Sequence, residues 1–95
     1  MARREIVEMD LRFVQTAEQL HELLSDALGF PQWYGMNWDA FWDAITGLVE
    51  MPKKLRLVGW RGLTERLPRD AEIMRTCLDE LIVEMPHLAS EIEYV

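Results

Sequence analysis

Residues 33–47 read WYGMNWDAFWDAITG, and this stretch contains three of the four tryptophans in the 95-residue chain. Asn37 belongs to the residue types that cap helix N-termini, and large apolar residues follow it at intervals of three and four positions. These apolar residues are Trp38, Phe41, Trp42 and Ile45. The stretch therefore predicts an amphipathic helix that begins after Asn37 and whose end is bracketed by Gly47 and Pro52. An aromatic loop over residues 30–36 precedes it.

Upstream of this stretch the sequence predicts one strand and one helix. Residues 5–11 alternate apolar and charged side chains, which is typical of a strand with one buried face. Thr16 and Gln19 form a capping-box pair, and leucines then follow at helical spacing. Gly29 and Pro31 are helix-ending residues. We therefore expect a first helix between Thr16 and Gly29.

Downstream of the stretch the sequence predicts a strand, a helix and a last strand. Leucine and valine residues indicate a strand near residues 54–60, and residues 61–66 read as a basic, glycine-containing connection. Pro68 suits the first turn of a third helix, and Pro86 ends the apolar stripe of that helix. Residues 91–95 predict a short closing strand.

The order of these elements predicts the fold class. Helices that lie between successive strands imply crossover connections, and crossover connections make neighbouring strands parallel. We therefore expect an α/β fold with a small three-stranded parallel sheet packed with three to four helices. The chain length suits one domain, which we place over residues 1–95.

The charge balance restricts the classes of partner. The chain has 17 acidic residues against 10 basic ones and a formal net charge of −7. Phosphates would be repelled, which argues against direct binding of nucleic acid, and a basic protein partner is favoured. A simpler reading is that the acidity only keeps a small protein soluble.

Composition also predicts the compartment. No apolar run approaches the length of a membrane span, and the N-terminus lacks an apolar signal segment. Cys77 is the only cysteine, so no intramolecular disulfide can form. These features predict a cytoplasmic protein that does not bind membranes.

Enzyme chemistry finds little support in the residues. His21 and His87 lie far apart, and Cys77 falls on an apolar helical stripe, so we expect no metal site, no cofactor and no catalytic residues. Asp39 and Asp43 form the one carboxylate pair that suggests acid/base catalysis, and an acid/base hydrolase is therefore one alternative.

The predicted acidic helix itself has two readings. In the first, Asp39 and Asp43 are solvated residues on the outer face of an ordinary amphipathic helix. In the second, they form a contact surface with flanking aromatic side chains, since aromatic area and complementary charge favour protein binding. Trp33, Tyr34 and Trp42 are the aromatic residues expected to be partly exposed. Trp38 and Phe41 are expected in the core.

A family resemblance favours the second reading. Residues 34–43 read YGMNWDAFWD, and Thr46-Gly47 and Val49-Glu50 follow. This run closely resembles the central segment of the barstar family, whose pattern is Tyr-Gly-x-Asn-x-Asp-Ala-x-Trp-Asp followed by Thr-Gly. Barstar is the intracellular inhibitor of the secreted ribonuclease barnase. The looser resemblance over the whole chain implies the same three-stranded parallel sheet.

The resemblance implies a role for individual residues. Asp43 would occupy the place of a substrate phosphate in the ribonuclease active site, and Asp39 would add a carboxylate at the rim. Trp33 falls where the family often has a tyrosine that packs on the catalytic histidine. The other positions implied in partner binding are Tyr34, Gly35, Asn37, Trp42, Thr46 and an acidic residue of the third helix. Glu80 is the best match for that acid, with Asp79 and Glu84 as alternatives.

Two departures from the family bear on the identity of the partner. Met36 stands where barstar has an acid, and Leu48 stands where it has a tryptophan. The expected function is inhibition of a barnase-like, guanyl-specific microbial ribonuclease in a 1:1 complex. The alternative is a barstar-like adaptor or immunity protein that binds a different basic toxin or a protein that is not a nuclease.

Overall fold

The fold was analysed in a computed structural model that describes residues 3–95; residues 1 and 2 of the predicted domain lie outside it. The elements are β1 (Ile6–Asp10), α1 (Ala17–Leu28), α2 (Trp38–Asp43), a π-helix (Ala44–Leu48), β2 (Lys54–Val58), α3 (Trp60–Arg66), α4 (Pro68–Glu84) and β3 (Glu91–Tyr94). The strands form one sheet in the order β1-β2-β3, and both pairs are parallel. The predicted α/β fold with a three-stranded parallel sheet is confirmed.

The two faces of the sheet differ in chemistry because side chains alternate along each strand. Met9, Leu55 and Leu57 point into the core and are almost completely buried. The opposite face, which we call the charged face, carries Glu8, Lys54, Arg56, Glu91 and Glu93. The sheet therefore has one apolar side for packing and one side for solvent.

The charged face is organised around the basic residues of the central strand. Arg56 pairs in register with Glu8 on β1 and with Glu93 on β3. Its guanidinium lies 3.4 Å from Glu8 Oε2 and 3.3 Å from Glu93 Oε2, and Lys54 Nζ lies 3.0 Å from Glu93 Oε1. Hydrogen bonds from Lys54 and Arg56 lower the pKa of Glu93. The carboxylates Glu8 and Glu93 are thus neutralised within the fold.

The first helix begins and ends as the sequence predicts. The backbone N–H of Gln19 donates to Thr16 Oγ1 at 3.1 Å, and the Gln19 side chain accepts from the N–H of Gln15. Gly29 ends the helix with a φ of +74°, a left-handed conformation that suits glycine, and its N–H donates to Ser25 O at 2.9 Å.

Residues 61–66, predicted as a connection, belong to helix α3, and β2 ends at Val58 instead of residue 60. Gly59 makes the turn with a φ of +82°, and a Cβ at this position would lie 2.6 Å from Arg12 Cγ. Trp60 and Leu63 are buried, whereas Arg66 donates to two carbonyl groups of the β1–α1 loop. The sequence did not predict this short helix because it contains two arginines and Gly62, and only two of its residues, Trp60 and Leu63, are buried.

The central helix begins as predicted but changes its winding before it ends. Asn37 Oδ1 accepts a hydrogen bond from the N–H of Ala40 at 2.7 Å, which confirms the N-cap. After Asp43 the chain continues as a π-helix, closed by a bond from Val49 N to Ala44 O at 3.1 Å. The helical segment therefore ends at Leu48, between Gly47 and Pro52, as the sequence predicts.

Candidate protein-binding groove

The predicted interface residues of two helices meet at a groove between α2 and α4. This groove, called here the acidic groove, has a volume of about 480 Å³. It is lined by Trp38, Asp39, Trp42, Asp43, Ile73, Cys77 and Glu80. The structure thus brings Glu80 of α4 to the same cavity as the two aspartates of α2, although they are far apart in sequence.

Only one of the three candidate acids of α4 lines this groove. Glu80 contributes to the acidic groove and also to a neighbouring cavity of about 380 Å³. Asp79 and Glu84 line that second cavity, together with the exposed Val83. The geometry therefore favours Glu80 among the acids that the sequence left open.

The carboxylates of the acidic groove are exposed and lack cationic neighbours. Asp39, Asp43 and Glu80 are all solvent-exposed. None of the ion pairs formed within residues 3–95 includes one of these three residues. Cys77 is half-buried, and its pKa is raised by burial and by the charges of Glu80 and Asp39. The groove therefore concentrates negative charge over a floor that is partly apolar.

Hydrogen bonds fix the loop that leads into α2. Asn37 Nδ2 donates to Gly35 O at 3.2 Å, and Met36 adopts a left-handed conformation with a φ of +57°. A Cβ at Gly35 would lie 3.2 Å from Ala40 Cβ, so the backbone passes close to the helix. At the other end, Thr46 Oγ1 donates to Trp42 O at 2.7 Å. These bonds support the loop and the helix as one rigid unit.

The aromatic residues of the loop divide differently from the prediction. Trp33 is 73% exposed and Trp42 is half-buried, as expected. The expectation that Tyr34 is partly exposed is wrong, because its side chain is only 8% exposed. Its hydroxyl lies 2.7 Å from His21 Nδ1, and its ring packs 4.7 Å from Phe30. Burial strongly raises the pKa of Tyr34.

The comparison with known families matches nearly the whole described chain. The family model described as barstar (barnase inhibitor) matches residues 4–93. This chain belongs to the barstar family. It is also 47% identical over 49 residues to the "putative ribonuclease inhibitor YrdF" of Bacillus subtilis (strain 168), a match that covers 52% of this chain and 54% of that protein. The chain thus spans about half the length of this curated relative.

The barstar-family motif coincides with the rigid unit described above. Residues 34–43, on which the resemblance was recognised, comprise the end of the aromatic loop, the N-cap and all of α2. Two of the groove carboxylates, Asp39 and Asp43, come from this motif, and Glu80 comes from outside it. In this family member the groove is therefore completed by α4.

Two residues that contact the motif, His21 and Asp70, were not predicted from the sequence as part of the site. His21 of α1 is 3% exposed and contacts both Tyr34 and Trp38. Its pKa is lowered by burial, an effect opposed by the charge of Asp70. Trp38, expected in the core, is half-buried, and its Nε1 donates to Asp70 Oδ1 at 2.9 Å. Helical spacing of His21 with Leu24 and Leu28 was the available signal of its burial.

Residues 3–95 also bear on metal binding and on membrane crossing. Within this range no group of three or more histidine, cysteine, aspartate or glutamate residues is arranged to hold a metal ion. None of the helices in the same range combines the length and the apolar character needed to cross a membrane.

Proposed function

We propose that this barstar-family protein inhibits a basic ribonuclease by covering its active site with α2 and the aromatic loop. The observation that carries the proposal is the acidic groove, in which three exposed carboxylates have no cationic partner within the described chain. The name of the Bacillus subtilis relative, "putative ribonuclease inhibitor YrdF", supports the same class of partner.

The chemistry of ribonucleases explains why such a groove would fit. A ribonuclease active site binds phosphate anions, so it carries clustered basic groups that are partly shielded from water. Carboxylates on a rigid helix supply the same charge as phosphates but offer no bond that the enzyme can cleave. In the proposed complex Asp43 takes the place of a substrate phosphate. Asp39 and Glu80 add negative charge at the rim.

The neighbouring residues supply contact area and orientation. Exposed aromatic side chains bury a large area at little entropic cost, which suits Trp33 and Trp42 as anchors of the interface. Asn37 and Gly35 hold the loop against α2, so little ordering is required on binding. We propose a 1:1 complex, formed in the cytoplasm, in which the protein acts as an inhibitor without turnover and without a cofactor.

Titration into activity assays of several guanyl-specific microbial ribonucleases tests the proposal. Wild-type protein should abolish the activity of at least one enzyme at stoichiometric amounts. Asp43→Ala should weaken inhibition by at least about thirtyfold, because it leaves basic groups of the enzyme buried without a counter-charge. The matched control is Asp26→Ala, which removes an exposed aspartate of α1 that does not line the groove.

The outcomes separate the proposed function from its alternative. Equal inhibition by Asp43→Ala and wild type would contradict phosphate mimicry by Asp43. If no ribonuclease is inhibited at micromolar excess, a barstar-like adaptor or immunity protein for a different basic toxin or a non-nuclease partner is favoured instead. Met36 and the 45% exposed Leu48 are the observations that keep this second candidate, because they place apolar side chains where barstar carries an acid and a tryptophan.

A further inference from the structure

The side chain of Trp38 connects three helices at the base of the acidic groove. The residue opens α2, and its ring centroid lies 4.3 Å from that of His21 on α1. Its indole Nε1 donates to Asp70 Oδ1 on α4 at 2.9 Å. The same side chain lines the groove itself. A movement of Trp38 would therefore displace α2 relative to both neighbouring helices.

The bond to Asp70 differs in kind from the packing contacts around it. Ring contacts tolerate sliding, whereas a hydrogen bond to a carboxylate is directional and is strengthened by the charge. Both Trp38 and Asp70 are half-buried, so water competes with the bond only in part. Within residues 3–95 it is the side-chain hydrogen bond that joins α2 directly to α4.

We propose that the Trp38–Asp70 hydrogen bond is a positioning clamp that fixes α2 against α4 and thereby sets the spacing of Asp39 and Asp43 from Glu80. Trp38 and Asp70 act as positioning residues, since they act through the three carboxylates. The consequence of the clamp for affinity rests on the proposed ribonuclease inhibition, whereas its effect on the groove does not.

The chain contains a natural reporter of the groove's width. Cys77 is the only cysteine, it is half-buried in the groove wall, and its pKa is raised by burial and by Glu80 and Asp39. If α2 moves away from α4, the thiol becomes more exposed and Asp39 recedes from it. Both changes favour the thiolate, which is the species that reacts with alkylating reagents. Alkylation of Cys77 therefore reports on the clamp without any binding partner.

The first experiment measures the rate of Cys77 alkylation by iodoacetamide, a neutral reagent, as a function of pH. Asp70→Ala removes the acceptor and should accelerate alkylation at pH 7.5 by about threefold or more. Asp70→Asn loses the same charge but keeps an acceptor oxygen, so its rate should remain close to that of wild type. Trp38→Phe, which keeps a ring and loses the N–H, should behave like Asp70→Ala.

A second control separates opening of the groove from a general loss of stability. Thr16→Ala removes the N-cap of α1 and should destabilise the fold without touching the clamp. Its alkylation rate under native conditions should match that of wild type. The clamp is refuted if Cys77 is alkylated in Asp70→Ala at the wild-type rate. It is also refuted if alkylation of Cys77 is accelerated in Asp70→Asn and Thr16→Ala as much as in Asp70→Ala.

The second experiment measures the dissociation rate from a guanyl-specific ribonuclease that wild-type protein inhibits. Asp70→Ala should dissociate about tenfold faster, and Asp70→Asn should restore slow dissociation, because pre-organised carboxylates retain the enzyme longer. If no ribonuclease binds, the proposed function fails while the alkylation rates still decide the clamp. If binding is tight and Asp70→Ala changes neither rate, the clamp fails and the proposed function stands.

Discussion

The charged face of the sheet and the acidic groove both carry carboxylates, but they differ in whether basic side chains lie beside those carboxylates. On the sheet, Glu8 and Glu93 lie beside Arg56, which their register brings between them. In the groove, Asp39 and Asp43 share a cavity with a third acid and with no cation among its lining residues. Glu8 and Glu93 are therefore paired within the fold, whereas the carboxylates of the groove form no ion pair among residues 3–95.

The placement of the carboxylates restricts the choice of partner more than the net charge does. A charge of −7 is a property of the whole chain and would attract any basic protein from a distance. The fold pairs Glu8 and Glu93 with Arg56 on the sheet, and it places Asp39, Asp43 and Glu80 together around one groove without an ion pair among residues 3–95. A partner can therefore be selected by the placement of three carboxylates and not only by the sign of the charge.

Charge reversal gives the largest expected effect and tests most directly whether the two regions differ in partner binding. Asp43→Lys should weaken binding to an inhibited ribonuclease by more than about a thousandfold, because it sets like charges against each other in a desolvated interface. Glu93→Lys makes the same change in net charge on the charged face and should alter the affinity by less than about threefold. Calorimetric titration of the ribonuclease with each variant measures the affinity. Equal losses would show that net charge drives the association and that the groove has no special role.

The pH dependence of stability should differ between the two regions, with the larger effect beside the groove. Burial lowers the pKa of His21, so below about pH 6.5 the unfolded chain binds a proton more readily than the folded chain does. The free energy of unfolding should therefore fall as the pH drops below 6.5, and it should level off below the folded-state pKa. Urea titrations between pH 5 and 8 measure this dependence. His21→Gln should flatten it, whereas the exposed-site control His87→Gln should not; identical slopes in all three proteins would contradict the assignment.

The charged face should respond at lower pH and more weakly. Hydrogen bonds from Lys54 and Arg56 lower the pKa of Glu93. Its contribution to stability is therefore complete above its ordinary pKa of about 4.5 and is lost as the pH falls through the folded-state value. Because these ion pairs are exposed, the effect should be small and should shrink further in 0.5 M salt, a concentration chosen to screen them. Thermal melts of wild type and Glu93→Gln between pH 2.5 and 6 should converge at the acidic end. A constant difference across that range would be evidence against the pairing.

Local sequence signals were sufficient for the main elements and for part of the site. The caps at Thr16 and Asn37 are formed by side chains that bond to their own helix, so short-range rules identify them. Asp39 and Asp43 share a helix face by spacing alone, and the structure places both in one groove. The parallel sheet followed from the alternation of strands and helices.

The features that sequence reasoning missed depend on contacts between distant segments. Tyr34, in the aromatic loop, can be buried because His21 of helix α1 is a hydrogen-bond partner for its hydroxyl group. The bond between Trp38 and Asp70 spans 32 positions, and nothing local to either residue indicates it. Helix α3 was hidden because its outer face carries arginine and glycine, whereas its inner face has only Trp60 and Leu63 to mark it.

The π-helix at the end of α2 shows that the winding of the backbone can decide what a surface offers. Leu48 follows the buried Phe41 by seven positions and the buried Ile45 by three, a spacing that would place it on the buried stripe of a regular α-helix. In the wider π turn each residue advances the rotation by less, and Leu48 emerges 45% exposed. The exposed apolar surface at Leu48 thus results from the winding of the backbone and not from a change in the type of residue. The backbone hydrogen bond from Val49 N to Ala44 O closes this π turn.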